Sequence, residues 1–346
     1  MSIENLDVAE EMDQELFEHF KVTVDKGQGM LRLDKFLVTR LENTSRARIQ
    51  AAADLGYVVV NGKVAKSSYK IKPLDEIQIM MPYERREVEI FPQDIPLDVV
   101  YEDKDLLVVN KQAGLVVHPG HGNFDGTLVN ALAYYLKDDE MFQEGCDLRA
   151  GLVHRIDKNT SGLLVIAKNT KVHAHLANQF FHHTTQRTYH ALVWGCPKEN
   201  EGTIHTLIGR AAKDRLQMAV LPDDDPNGKE AITHYRVLEN LGYVSLIECV
   251  LETGRTHQIR AHMKHLGHPL FNDERYGGER ILRGTTYTKY KQFVDNCFKL
   301  MPRQGLHALS LGFEHPVTKE RMHFESQYPT DFESCLNKWR AYGANE

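Results

Sequence analysis

The residue of this chain best placed to do chemistry is an aspartate set between two apolar runs. Residues 154–162 read His-Arg-Ile-Asp-Lys-Asn-Thr-Ser-Gly. Asp157 lies between Gly151-Leu152-Val153 and Leu163-Leu164-Val165-Ile166-Ala167, and both flanks read as buried strands. The Lys-Asn-Thr-Ser-Gly between them is turn chemistry. Asp157 is therefore expected where a strand leaves the core and opens into a loop, a place where a rigid element can hold a catalytic side chain. Arg155, two residues earlier, falls on the same side of an extended chain. One carboxylate with basic company suggests a nucleophile or charge stabiliser rather than a two-carboxylate acid/base pair. The competing reading is an Asp157 that caps a turn and pairs with Arg155.

Two further segments have the properties to meet Asp157. In Gln186-Arg187-Thr188-Tyr189-His190, after a helix with Val172, Leu176 and Phe180 on one stripe, Tyr189 opens a strand. There it can stack on a nucleobase and take part in proton transfer; the alternative is a cross-strand packing tyrosine. In Glu252-Thr253-Gly254-Arg255-Thr256-His257-Gln258-Ile259-Arg260-Ala261-His262-Met263, Thr256 reads as the N-cap of a helix. Ile259, Met263 and Leu266 form its buried stripe, Gly267 and Pro269 end it, and His257, Arg260 and Lys264 share a polar face. A guanidinium in the first turn can pair bidentately with a carboxylate and keep Asp157 ionised. His257, His262, His265 and His268 also invite a metal reading, but they spread around one helix and its exit instead of converging, so no metal is expected. Gly120-His121-Gly122-Asn123 lacks the spacing of a nucleotide fingerprint.

The elements that must position these residues fill a chain of 346 residues, enough for two domains. With 42% apolar and 26% charged residues it has an ordinary globular composition. No run approaches the ~18 apolar residues of a membrane span, and the N-terminus does not read as a secretory signal. Five scattered cysteines without a Cys-x-x-Cys point to reduced thiols in a cytoplasm. The net charge of -6 hides a segregation: residues 1–19 carry seven acidic residues and no Lys or Arg, while residues 30–72 carry nine basic against three acidic. Residues 1–20 are expected to be a poorly ordered acidic leader. Residues 21–82 are expected to form a small domain, 83–96 a linker, 97–330 a larger domain and 331–346 a tail.

In the small domain, Leu33, Phe36, Leu37 and Leu41 have helical spacing. Asn43-Thr44-Ser45 offers a cap for a second helix through Arg46, Ile49 and Ala53, stopped by Gly56. Tyr57–Val60 and Asp75–Ile79 read as strands, with Asn61-Gly62 as a hairpin turn. Arg32, Lys35, Arg46, Arg48, Lys63, Lys66, Lys70 and Lys72 would give it a basic face suited to phosphate backbones, unless they are merely a solvated surface. In the larger domain, Val99–Tyr101 and Leu106–Asn110 read as strands, and Gly114–Gly120 as a strand running into a loop.

The string Arg32-Leu33-Asp34-Lys35-Phe36-Leu37, then Ser45-Arg46-Ala47-Arg48-Ile49-Gln50, then Gly56-x-Val58-x-Val60-Asn61-Gly62 resembles the αL RNA-binding domain named after ribosomal small-subunit protein four. His154-Arg155-Ile156-Asp157 with Thr160-Ser161-Gly162, Arg187 ahead of Thr188-Tyr189, Gly254–His262, and Leu306-His307-Ala308 with His315-Pro316 together resemble the RluA-type pseudouridine synthases. Asn110–Pro119 resembles that family's opening motif, with Gln112 in place of the usual Pro, and Ile156 stands where Leu is usual. Val116–Thr127 looks most like the RluD branch, which acts on a stem-loop of large-subunit ribosomal RNA.

The resemblance implies an α+β fold with a mixed, mainly antiparallel sheet and a central cleft, and isomerisation of uridine to pseudouridine without any cofactor. It implies that Asp157 is the essential carboxylate, that Tyr189 stacks on the base and helps remove the carbon 5 proton, that Arg260 pairs with Asp157, and that Arg155 holds the flipped nucleotide. Lys111, His257 and Gln258 are candidates for the cleft wall or the RNA backbone. The implied partner is ribosomal RNA, or a precursor of the large subunit, met by a cytoplasmic monomer. Two rivals are a non-catalytic RNA-binding assembly factor and a histidine-metal hydrolase.

Overall fold

The structure is a computed structural model and describes residues 17–41, 44–81, 90–120, 123–142, 151–211, 214 and 217–344. The chain divides into two compact units, Met1–Glu87 and Val88–Glu346.

The first unit is built from β1 (Phe17–Thr23), α1 (Leu33–Val38), α2 (Arg46–Asp54), β2 (Val58–Val60), β3 (Lys63–Val64) and β4 (Glu76–Met81). Its antiparallel sheet has the order β1-β4-β2-β3. Leu33, Phe36, Leu37, Ile49 and Ala53 turn one face of each helix onto Val58, Val60, Ile77 and Ile79, as their spacing requires. Ser45 caps α2 by accepting from Arg48 N. Asn61 and Gly62 both have positive φ, the geometry of a type I′ turn. Phe17–Thr23 pairs along β4, so the expected leader ends earlier than residue 20. The rest of the leader, from 1 to 16, lies outside the described residues, as do Asn43, His121, Gly122 and residues 83–89 of the expected linker.

The second unit holds one ten-stranded sheet. Its strands are β5 (Val99–Glu102), β6 (Leu106–Lys111), β7 (Ser161–Ala167), β8 (Gln186–Trp194), β9 (Glu201–Arg210), β10 (Met218–Leu221), β11 (Lys229–Asn240), β12 (Val244–Leu251), β13 (Leu306–Glu314) and β14 (Arg321–Glu325). The order is β10-β9-β11-β12-β8-β13-β7-β6-β5, with β14 beside β13. The pairings described are antiparallel except β13 with β7, which is parallel. Helices are α3 (Leu128–Tyr135), α4 (Thr170–Phe181), α5 (Gln258–His265), α6 (Thr288–Leu300) and α7 (Thr330–Gly343). Strand alternation separates two cores. Ala191 and Val193 of β8 pack with α3 and α5, while Leu192 and Trp194 pack with α6 and α7. No described helix is long and apolar enough to cross a membrane.

Four expectations are corrected here. Gly114–Gly120 is not a strand, because the carbonyls of Val116 and Val117 accept from Leu128 N and Val129 N at the start of α3. Gly151–Val153 makes a single bridge, Leu152 to Ile166, and the next N–H along β7, of Val165, is taken by the His154 imidazole instead of a backbone carbonyl. Residues 90–96 pack on the larger unit: Gln93 Oε1 accepts from Gly126 N, and the carbonyl of Phe91 accepts from Asn130 Nδ2. The expected tail is α7, whose Phe332, Cys335, Leu336 and Trp339 recur at helical spacing and are buried.

Candidate active site

Asp157 sits in the loop that enters β7, where the backbone is held from three directions. Lys111, at the end of β6, is buried, and its Nζ donates to the carbonyls of Gln112, Leu115 and Lys158 at 2.8, 2.8 and 3.0 Å. From the stretch before β13, Arg303 donates to the Asn159 carbonyl at 3.0 Å and to Ser161 Oγ at 3.2 Å. Arg303 is itself gripped by Asp331 of α7 at 2.6 and 3.0 Å. Gly162, just beyond, has φ +118 and lies so close to β13 that a Cβ would fall 2.1 Å from the Ala308 carbonyl oxygen; only glycine fits there.

The Asp157 carboxylate, 19% exposed, meets Arg260 Nη1 at 3.0 Å through Oδ2. Arg260 projects from the first turn of α5 and is nearly buried. Its bidentate partner is not Asp157 but Asp273, which takes Nε and Nη2 at 2.8 Å each. These two carboxylates push the guanidinium pKa further up, against the burial that lowers it. A buried cation with a second, permanent partner is a fixed electrostatic clamp for Asp157. Helix α5 does not start at Thr256 as expected. His257 precedes it in the left-handed region at φ 53, and Gln258 folds its Oε1 back onto Arg255 N and Thr253 Oγ1.

Tyr189 lies inside β8 instead of at its start, between Cys249 of β12 and Ala308 of β13. It lines the same pocket as Asp157, Arg155, His257 and Arg260. Burial pushes its phenol up while Arg187 pulls it down, so the hydroxyl is protonated at neutral pH and its ring is an apolar wall. Arg187, two residues away, is a buried cation that makes no ion pair among the described residues. One Nη2 reaches the Glu252 carbonyl at 2.9 Å and the group lies over Phe180 at 5.5 Å. Gly254 leaves the room for it, since a Cβ there would lie 2.6 Å from Arg187 Nη1.

The candidates for RNA contact separate on this geometry. Arg155 is exposed at the pocket and makes no ion pair with Asp157 among the described residues. Lys111 and Gln258 are both buried with their donors bonded inside the protein, Lys111 to three carbonyls and Gln258 to Ile232 O and Thr233 Oγ1, and Gln258 lines the pocket wall. Burial beside Arg303 pushes Lys111 down to about 7, yet three carbonyls around Nζ match the three N–H groups of the ammonium form. His257 is largely buried beside Asp157. In the small unit, Lys35, Arg46, Arg48 and Lys63 are exposed and Arg32 half-buried. Arg32 and Arg46 converge with Gln50 on Asp34, which is fully buried.

Three of the four histidines offered to a metal spend ring nitrogens on hydrogen bonds, His257 with the Tyr276 hydroxyl. His262 bonds Thr206 and Thr233 hydroxyls, and His268 the Trp194 carbonyl. A set that does converge is Asp103, Asp105 and His315. There His315 Nδ1 accepts from Val317 N and Thr318 N, and Nε2 donates to Asp103 at 3.0 Å. Its lone pairs are committed to hydrogen bonds, as befits a structural knot. Asp273, Arg303, Asp331 and Tyr276 were missed in sequence. Each sits in a loop, in a short one-turn helix or at a helix end, with no periodicity to mark it.

Two family models match the chain: RNA pseudouridylate synthase over residues 105–265 and the S4 domain over residues 31–77. The chain is 45% identical to an uncharacterized RNA pseudouridine synthase of Chlorobaculum parvum, over 92% of this chain and 96% of that one. It is 42% identical to ribosomal large subunit pseudouridine synthase D of Zymomonas mobilis, over 87% of this chain and 92% of the other. Among solved structures, human RNA pseudouridylate synthase domain containing 1 aligns at 27% identity with a TM-score of 0.52, over 73% of this chain and 90% of that one.

Proposed function

This chain belongs to the RNA pseudouridine synthases, with an RluA-type catalytic domain and an S4 domain, and on that premise we propose that it converts specific uridines of large-subunit (23S) ribosomal RNA to pseudouridine, with Asp157 as the essential carboxylate. The observation that carries the reading is the Asp157–Arg260 pair at 3.0 Å in a pocket walled by Tyr189. The reaction breaks the bond between N1 of uracil and C1′ of ribose, turns the base, and joins C5 to C1′, the proton lost from C5 being matched by one taken up at N1. Nothing is added in net and no electrons are exchanged, so no cofactor is required. Arg260 holds the Asp157 carboxylate beside the sugar. Tyr189 stacks on the uracil and assists departure of the C5 proton. Arg155 holds the nucleotide flipped out of its loop.

In this reading the small unit supplies salt-sensitive affinity through Arg32, Lys35, Arg46, Arg48 and Lys63, and the cleft selects the unstacked loop. The relative from Zymomonas mobilis, named for the large ribosomal subunit, supports this choice of RNA. The protein works in the cytoplasm as a monomer, on ribosomal RNA or on a precursor subunit. Mapping pseudouridines in large-subunit RNA from cells lacking the protein tests this. One or a few sites in a stem-loop should vanish, and return with wild type but not with Asp157→Ala. A complete set of pseudouridines in the deletion strain would overturn the assignment.

A further inference from the structure

The hydrogen bonds around His257 fix which of its nitrogens carries the proton. Met218 N–H donates to the Tyr276 hydroxyl oxygen at 2.9 Å. That hydroxyl lies 3.0 Å from His257 Nδ1. Tyr276 is buried, so its O–H needs an acceptor, and among the described residues Nδ1 is the one within reach. Nδ1 therefore accepts, and the proton of the neutral ring sits on Nε2. Nε2 lies 3.7 Å from Asp157 Oδ2, the same oxygen that Arg260 Nη1 meets. Asp157 Oδ1 accepts no hydrogen bond from the described residues. His257 is also held at φ 53, a left-handed backbone conformation that is uncommon outside glycine. Contacts that long in a free enzyme can tighten once substrate is bound.

We propose that His257, its tautomer locked by Tyr276, is a positioning residue that joins Arg260 on Asp157 Oδ2 and leaves Oδ1 as the oxygen facing the ribose. The proposal rests on the synthase reading and adds to it which oxygen reacts and what aims it. Burial keeps the imidazole neutral by lowering its pKa, so it orients the carboxylate without a second full positive charge beside it.

The test uses the full chain and a ribosomal RNA fragment tritiated at C5 of uridine. Single-turnover release and RNA affinity are measured for wild type, His257→Ala, His257→Gln and Tyr276→Phe. His257→Ala is expected to slow release about tenfold or more with RNA affinity unchanged, the scale of one lost hydrogen bond to a charged group. His257→Gln keeps an N–H donor and should recover most of that rate. Tyr276→Phe keeps the ring under Arg260 and should lose about threefold, since the tautomer is then free. Nitrogen-15 spectra of wild type, assigned by difference from His257→Gln, should show the Nε2-protonated form, and Tyr276→Phe a mixture. A wild-type rate in His257→Ala, or an Nδ1-protonated His257 in wild type, overturns the proposal; the second result does not depend on the alanine variant folding. Absence of release from wild type itself overturns the synthase reading on which the proposal stands, a different result from release that is insensitive to His257.

Discussion

Asp34 in the small unit and Asp157 in the larger one are both aspartates met by arginine, and they differ in what is left over. Asp34 is fully buried; Arg32 reaches both of its oxygens, and Arg46 and Gln50 converge on one of them. Asp157 is part-exposed, its arginine is already anchored on Asp273, and among the described residues only one of its oxygens meets a guanidinium. A carboxylate saturated by its partners stabilises a fold. One that is charged and oriented, yet incompletely satisfied, can react.

The largest expected effect separates the two directly. Asp157→Ala should abolish pseudouridine formation, a loss of at least about 10⁴-fold, while Arg260 keeps Asp273 and the melting temperature of the larger unit hardly moves. A variant that is inactive and also unfolded would place Asp157 with Asp34. Next comes Asp273→Asn, which breaks a buried pair and should cost roughly 3 kcal/mol of stability together with activity, read by denaturant melts and single-turnover rates. Asp34→Asn should do the reverse of Asp157→Ala. Stability of the small unit should fall by about 2 kcal/mol and RNA should bind more weakly, with the rate at saturating RNA unchanged.

The smallest effects are those of pH. Hydrogen bonds from Arg32 hold the Asp34 carboxyl well below its ordinary value of 3.8. Its contribution is therefore complete above that value and is lost as pH falls through the lower, folded-state value. The larger unit begins to weaken sooner. Burial pushes His154 down to about 3 and His262 and His307 to about 4, from 6.5. The unfolded chain takes up these protons first, so stability is full above 6.5 and declines as pH falls from there toward 4. Melts between pH 7 and 4 should show the larger unit losing stability while the Asp34 contribution stays intact. A flat profile for the larger unit would mean that these imidazoles are not enclosed as neutral groups.

How much of this was legible in the sequence follows from the range of the interactions. Helices α1, α2, α4 and α5 and the turn at Asn61-Gly62 rest on local spacing and turn residues, and the spacing places them. The neighbourhoods of Asp157, Tyr189 and Arg260 were legible because each lies in a short motif flanked by apolar strand or helix patterns. Gly114–Gly120 and Gly151–Val153 have strand composition, but the first is tied to the start of α3 and the second keeps a single bridge to β7, whose next N–H is taken by the His154 ring, and no local pattern announces either. Asp273, and the Arg303–Asp331 clamp on the Asp157 loop, act across 13 to 144 residues of chain, beyond any periodicity. The stripe of α7 was readable, with Phe332, Cys335, Leu336 and Trp339 at helical spacing. Reading the last 16 residues as a tail ignored that period.

The account stands most directly on tritium release from ribosomal RNA labelled at C5 of uridine, taken from cells lacking the protein. Wild type and Asp157→Ala run side by side, with and without chelator. Release by wild type alone, unaffected by chelator, is the predicted result. Equal release by Asp157→Ala, or release that chelator abolishes, would contradict it.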